Sequence, residues 1–299
     1  MVPARMPGCA MLTTTLDGLW VLQVLTGIEV LAPELALRPH LPSVESVDSA
    51  LRHLVAADLK NAGAITDSGL VDRAIVDWLT VVSRREVGLF VEVYSPGCAD
   101  ARVAMARFDQ WWVCLERSVD LVRIEQMGRA ETVEAATEII ASQLFRLCGP
   151  SRPATIRPLT LDLGMLTGYG TDSAALHSYL ERCCRDGDQR RLLRLACDPD
   201  LSARASIVAM QPSAQRTRTG LIAVCDAAVT IVDTPEGRLL AETVHSAGRT
   251  WLVVGPGHQS SVITAIRTIL DLLPAGRQWY SCRRSRDCEV IGDMTGATL

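Results

Sequence analysis

The segment of this chain best suited to chemistry is WLVVGPGHQSS, residues 251–261. An apolar run there meets Gly255, Gly257, His258, Ser260 and Ser261. A strand, a glycine turn and a helix start leave backbone N–H groups that can cradle a phosphate. Gly255–Ser261 would then be the phosphate- or nucleotide-binding loop of an enzyme. The order is not GxxxxGK[ST], and the one lysine of the chain is Lys60. Nor is it GxGxxG, because Ser260 stands where the third glycine belongs. Tight-turn glycines between a strand and a helix account for the same residues without a ligand, and that is the simpler reading.

Other reactive residues are scattered. His40, His53, His177, His245 and His258 include no pair at the i, i+4 spacing of a helical zinc site. No GxSxG elbow supplies a serine nucleophile. Asp186, Asp188, Asp198 and Asp200 lack the order of a calcium loop and suit helix capping and solvation. The ten cysteines include no CxxC pair. Cys114 and Cys225 sit in apolar strand patterns, where a reduced thiol serves as a small hydrophobe. A disulfide-built secreted domain would be smaller and more regularly spaced, so the chain reads as cytoplasmic. No catalytic residue, metal ligand or cofactor is assigned, and the chain reads as a non-enzyme.

Composition narrows the class further. The chain has 299 residues, a net charge of −4 and 48% apolar residues, enough for a sizeable core. There is no basic surplus of the kind nucleic-acid binding needs. The tail CRRSRDCEV is locally basic but short and interrupted by acids. Near the N-terminus, LDGLWVLQVLTGIEVLAPELALRPHLP (16–42) resembles an export or membrane segment at first sight. Asp17 and Glu29 bracket its uncharged run, and Gly27 and Pro33 break it. A membrane span needs about 20 apolar residues in a row. The segment therefore reads as folded protein, with no membrane insertion. Met11 is a possible start, and residues 1–10 read as a disordered extension.

The elements that must position these residues follow from periodicity. MLTTTL (11–16) reads as a strand, and Asp17 as the cap of a helix over 18–26 that Gly27 ends. Helical spacing covers 44–62, 70–82 and 131–148. Strand-like runs cover 86–94, 101–108, 110–117 and 120–125. SRPATIRP (151–158) reads as a connector. Helices over 172–184 and 187–197, strands at 203–211, 221–233, 238–245 and 250–255, and a helix over 259–273 complete the chain. Each half runs from strands to a long closing helix, with Trp112 and Trp251 as apparent landmarks. The expected fold is α/β (α+β): two similar halves in a quasi-twofold arrangement, with a central, mostly antiparallel sheet flanked by helices. The halves span 11–150 and 151–280, followed by a flexible tail, 281–299.

The N-terminal segment also carries a resemblance. Asp17-Gly18, Trp20, Leu22-Gln23, Leu25, Ala32-Pro33-Glu34-Leu35 and Arg38-Pro39 resemble the signature of the EspG family. These are the specific chaperones of mycobacterial type VII (ESX) secretion. The resemblance returns at Trp251-Leu252, Gly255-Pro256 and ITAIRTILDLLPAG, and it runs from Met11 to about Tyr280. Among paralogues the chain most resembles the member of the second ESX locus. The family implies a non-enzymatic cytosolic chaperone of quasi-twofold fold. Its cargo is a PE–PPE heterodimer, bound at the apolar tip of the PPE subunit, kept soluble and directed to the ESX secretion machinery. By that analogy the cargo surface comprises a sheet face, the loop near 95–100, the segment near 212–220 and the helical pair 172–196. Gly97, Asp100, Arg216, Arg218 and Thr219 are the expected partner-binding residues, although QRTRTG also suits an ordinary solvated hairpin loop. An uncovered apolar cargo face would also favour self-association of the free chain.

Overall fold

A computed structural model of the chain describes residues 11–168, 173–212 and 222–281. Strand β1 (Met11–Thr15) leads directly into helix α1 (Leu16–Thr26). Thr15, not Asp17, is the cap: its side-chain oxygen accepts from the Gly18 N–H at 3.1 Å. Asp17 sits in the first turn, where a carboxylate complements the helix dipole, and it pairs with Arg38. Gly27 ends the helix at φ 69°, its N–H donating to the Gln23 and Val24 carbonyls.

The single helix expected over 44–62 is two helices, α2 (Val47–Leu51) and α3 (Val55–Asn61). His53 divides them. Its Nδ1 accepts from the Val55 N–H at 3.4 Å, and its ring meets Trp20 edge-on at 5.6 Å. That bond gives the backbone a local alternative to a continuous helix. Helix α4 (Arg73–Ser83) follows, capped by Asp72. Four strands come next: β2 (Val87–Tyr94), β3 (Ala101–Phe108), β4 (Trp111–Ser118) and β5 (Leu121–Arg129). Helix α5 (Val133–Cys148) closes the half, capped by Thr132.

The second half repeats the order. Strand β6 (Leu159–Asp162) and helix α6 (Leu163–Gly168) were not expected from the sequence. Then come α7 (Ser173–Cys183), α8 (Gly187–Cys197), β7 (Ala203–Pro212), β8 (Ile222–Thr234), β9 (Gly237–Ser246), β10 (Arg249–Pro256) and α9 (Gln259–Asp271). The strands form one sheet in the order β1-β5-β4-β3-β2-β7-β8-β9-β10-β6, with every neighbouring pair antiparallel. Read outward from the β2–β7 seam, the two halves are the same: four strands in chain order, then the strand that opened the half. This corrects the tryptophan landmarks. Trp112 lies on β4, whose counterpart is β9, whereas Trp251 lies on β10, the counterpart of β5.

One face of the sheet is covered by α5 and α9. Leu89, Val91, Met105, Ile207 and Val229 are fully buried there with Ile140 and Ile266. The other face carries two separate layers. In the first half, α1, α3 and α4 cover Ala104, Val113 and Leu115. In the second, α7 and α8 cover Leu239, Ala241 and Val254. Among the described residues no helix is long and apolar enough to cross a membrane.

Buried arginines tie distant segments to this frame. Arg107 on β3 meets Glu86 at 3.0 Å and donates to the Tyr280 carbonyl, joining the C-terminal turn to the first half. Arg238 on β9 makes two 2.7 Å bonds to Asp233 and donates to the Gly149 carbonyl at 2.8 Å. Its own carbonyl accepts from Ala154 and Gly257, each at 2.8 Å. Gly257 must stay bare, since a Cβ there would lie 2.3 Å from Arg238 Cγ and 3.0 Å from its backbone. Gly257→Ala is therefore expected to cost roughly 1–3 kcal/mol of stability, read from urea unfolding. Gly187→Ala, with only Arg190 Nη2 nearby at 3.9 Å, should leave the midpoint in place. Equal midpoints for wild type and Gly257→Ala would contradict the packing role.

Candidate functional site

Strand β2 alternates sharply. Val87, Leu89 and Val91 are buried under α5 and α9, while Phe90, Glu92 and Tyr94 face the other way. The antiparallel registers extend that second face across the sheet. Arg117 opposes Arg102, Arg102 opposes Glu92, Glu92 opposes Ser206, and Ser206 opposes Thr230. Directly opposed residues share a face, so five polar side chains cross β4, β3, β2, β7 and β8 in one row. Beside that row, Tyr94 opposes Arg204.

An open groove of about 710 Å³ lies over the Arg117, Arg102, Glu92 and Ser206 part of this row, between the two helical layers. Its walls include Ala36, Val93, Ala101 and Val119 as well as the polar residues. Arg102 pairs with Glu92 at 3.6 Å, both side chains about half exposed. Arg117 would repel the opposed Arg102, but it is turned onto carbonyls instead. It donates to Leu35 at 2.8 Å, to Val119 at 2.9 Å and to Ala36. The Arg204 guanidinium stands 5.1 Å from the Tyr94 ring centroid. These groups offer charge and hydrogen bonds at an apolar-flanked surface. That suits recognition of a folded partner better than bond-making.

Asp100 lines this groove, and Gly97 lies in the exposed β2–β3 turn at φ 71°. Arg216, Arg218 and Thr219 lie outside the described residues. The strand ends that flank them, Pro212 and Ile222, are paired at the end of the seam opposite the β2–β3 turn. Sequence reading missed Glu92, Tyr94, Arg102, Arg204 and Ser206. A signal was present: Glu92 and Arg102 interrupt the apolar runs VGLFVEVY and ARVAMARF.

The glycine segment at 255–261 is organised by packing. Gly255 is a β10 residue opposite Leu240, and the Gly257 N–H is used by the Arg238 carbonyl. His258 opens α9 without a side-chain cap bond. Among the described residues no group of His, Cys, Asp and Glu is arranged to hold a metal.

A family model described as EspG family matches residues 15–268. The chain belongs to the EspG family. It is 43% identical over 274 residues to the ESX-2 secretion-associated protein EspG2 of Mycobacterium tuberculosis, covering 92% of this chain and 99% of the relative. It is 25% identical over 302 residues to the ESX-5 secretion-associated protein EspG5 of Mycobacterium marinum, covering 91% and 97%. Among solved structures, the Mycobacterium tuberculosis type VII secretion system chaperone EspG5, in complex with a PE25-PPE41 dimer, aligns with a TM-score of 0.68. That pair shares 18% identity and covers 89% of this chain and 98% of the EspG5 chain. This EspG chain thus shares the fold of a secretion chaperone over nearly its whole length.

The thiols of this family member are free among the described residues, at Cys98, Cys114, Cys148, Cys183, Cys184, Cys197 and Cys225. Burial, and then the Glu125 carboxylate, pushes the Cys114 thiol up to about 12. At pH 8 only about one part in 10⁴ of it is thiolate, and the thiolate is the reacting form. Iodoacetamide at pH 8 should therefore label exposed Cys98 in the folded protein, and Cys114 only after denaturant is added. Comparable native labelling of both would contradict this placement of Cys114.

Proposed function

We propose that this EspG-family chain is a cytoplasmic chaperone of type VII (ESX) secretion. It binds a PE–PPE heterodimer through the PPE subunit, keeps it soluble and directs it to the secretion machinery. The reading rests on the 43% identity to EspG2 over 92% of the chain. The EspG5 complex with PE25-PPE41, on the same fold, supplies the class of cargo. No catalytic step is part of the proposal.

The groove over β2 and β7 is the proposed seat of the PPE tip. Ala36 and Val119 give it apolar contact, and the polar row gives it direction. An exposed apolar tip is an aggregation liability, and burying it in a concave surface removes that liability. Asp100 lines the groove on its β2–β3 side, and Gly97, in the same exposed turn, stays in the proposal on sequence grounds. Arg216, Arg218 and Thr219 stay in the proposal as partner-binding residues on sequence grounds alone.

Co-expression with PE–PPE pairs from type VII secretion loci should yield a stable co-purifying complex with at least one pair. Ser206→Trp fills the middle of the groove and should weaken that complex by at least about tenfold, or about 1.4 kcal/mol. Ser142→Trp lies on α5, over the opposite sheet face, and should bind as wild type. No complex with any pair, or unchanged binding by Ser206→Trp, would overturn the reading.

A further inference from the structure

We infer that Arg204, held over Tyr94 at the seam, is the residue by which this groove reads an acidic side chain on its cargo. The inference rests on the groove being the PE–PPE site, and it names the chemistry of the contact. Three arginines and two acids line the groove: Arg102, Arg117 and Arg204 against Glu92 and Asp100. Two of the three arginines are already engaged. Arg117 donates to the carbonyls of Leu35, Ala36 and Val119, and Arg102 pairs with Glu92 at 3.6 Å. Arg204 has no ion-pair partner among the described carboxylates. Its guanidinium carbon stands 5.1 Å from the Tyr94 ring centroid, and its charge is also felt by the Cys197 thiol, which is not an ion-pair partner.

That arrangement is preorganised. Tyr94 and Arg204 are opposed in register on the two seam strands, so the backbone fixes their separation. An aromatic ring against the guanidinium still leaves its N–H groups available for in-plane bonds. A carboxylate fits that fork with two parallel hydrogen bonds. It would also balance the single excess positive charge of the lining. Contact with apolar groups at Ala36 and Val119 would exclude water and strengthen the bond. The cargo tip is therefore an apolar surface bearing at least one Asp or Glu, and the acid selects the partner by leaving Arg204 unsatisfied when it is absent.

The test uses the full chain and the PE–PPE pair that co-purifies with it. Arg204→Gln should weaken binding by at least about tenfold, and Arg204→Glu further. Raising salt should weaken wild-type binding more steeply than Arg204→Gln binding. Changing one acidic residue of the PPE tip to Lys should restore binding to Arg204→Glu. Circular dichroism and the melting temperature establish that each variant is folded. Should Arg204→Glu not fold, Arg204→Gln and its salt slope carry the test. If Ser206→Trp abolishes binding while folded Arg204→Gln binds within twofold of wild type, the groove stands and the role of Arg204 falls. If both bind as wild type, or no pair binds, the groove reading falls and this inference with it.

Discussion

The β2–β7 pairing is the contact on which the rest of the molecule depends. It runs from Gly88 opposite Met210 to Tyr94 opposite Arg204 and joins two five-stranded sheets edge to edge. Alone, each half would expose its inner strand's unpaired N–H and C=O groups, a ready template for aggregation. Pairing the two edges removes both liabilities at once. It also brings α5 and α9 onto one face, where the halves share a core of Leu89, Val91, Ile207 and Val229. On the other face the helical layers stay with their own halves, and the seam is left uncovered. The groove is thus a consequence of the quasi-twofold architecture and not an added pocket.

The buried charges secure what the sheet alone cannot. A buried ion pair contributes little net stability, but removing one partner leaves a costly unpaired charge. Arg107 and Arg238 each join a carboxylate to a carbonyl far away in the chain, at Tyr280 and Gly149. Arg85 instead ties the end of α4 to one distant segment, through the Glu34 carboxylate and the nearby Leu31 carbonyl. These bonds satisfy polar backbone groups in irregular segments where no ladder reaches them. Arg85 and Arg117 together hold the turn at Pro33–Leu35, and Arg117 places Ala36 at the groove wall.

Most strands and long helices were legible because their apolar period matches the face they bury. Thr132 and Gly149 bound α5 much as the pattern implies, and Gly27 ends α1 where expected. The failures have local causes. LTLD follows two prolines and is only four residues long, so it reads as linker, yet it pairs with β10 through Trp251–Val254. His53 breaks a run whose apolar spacing continues through it. Trp112 and Trp251 look equivalent by position in an apolar run but occupy different strands of the repeat. The groove itself was hidden because Glu92, Arg102, Arg117 and Ser206 come from four strands. Only the register of those strands puts them in one row.

The central claim is that the uncovered seam face is the proposed cargo surface. Hydroxyl-radical footprinting of the free chain and of its PE–PPE complex tests it most directly. The account predicts strong protection of Tyr94 in the complex, with Met127, beside α5 on the opposite face, oxidised equally in both. Equal oxidation of Tyr94 with and without cargo, or protection confined to the α5–α9 face, would contradict it.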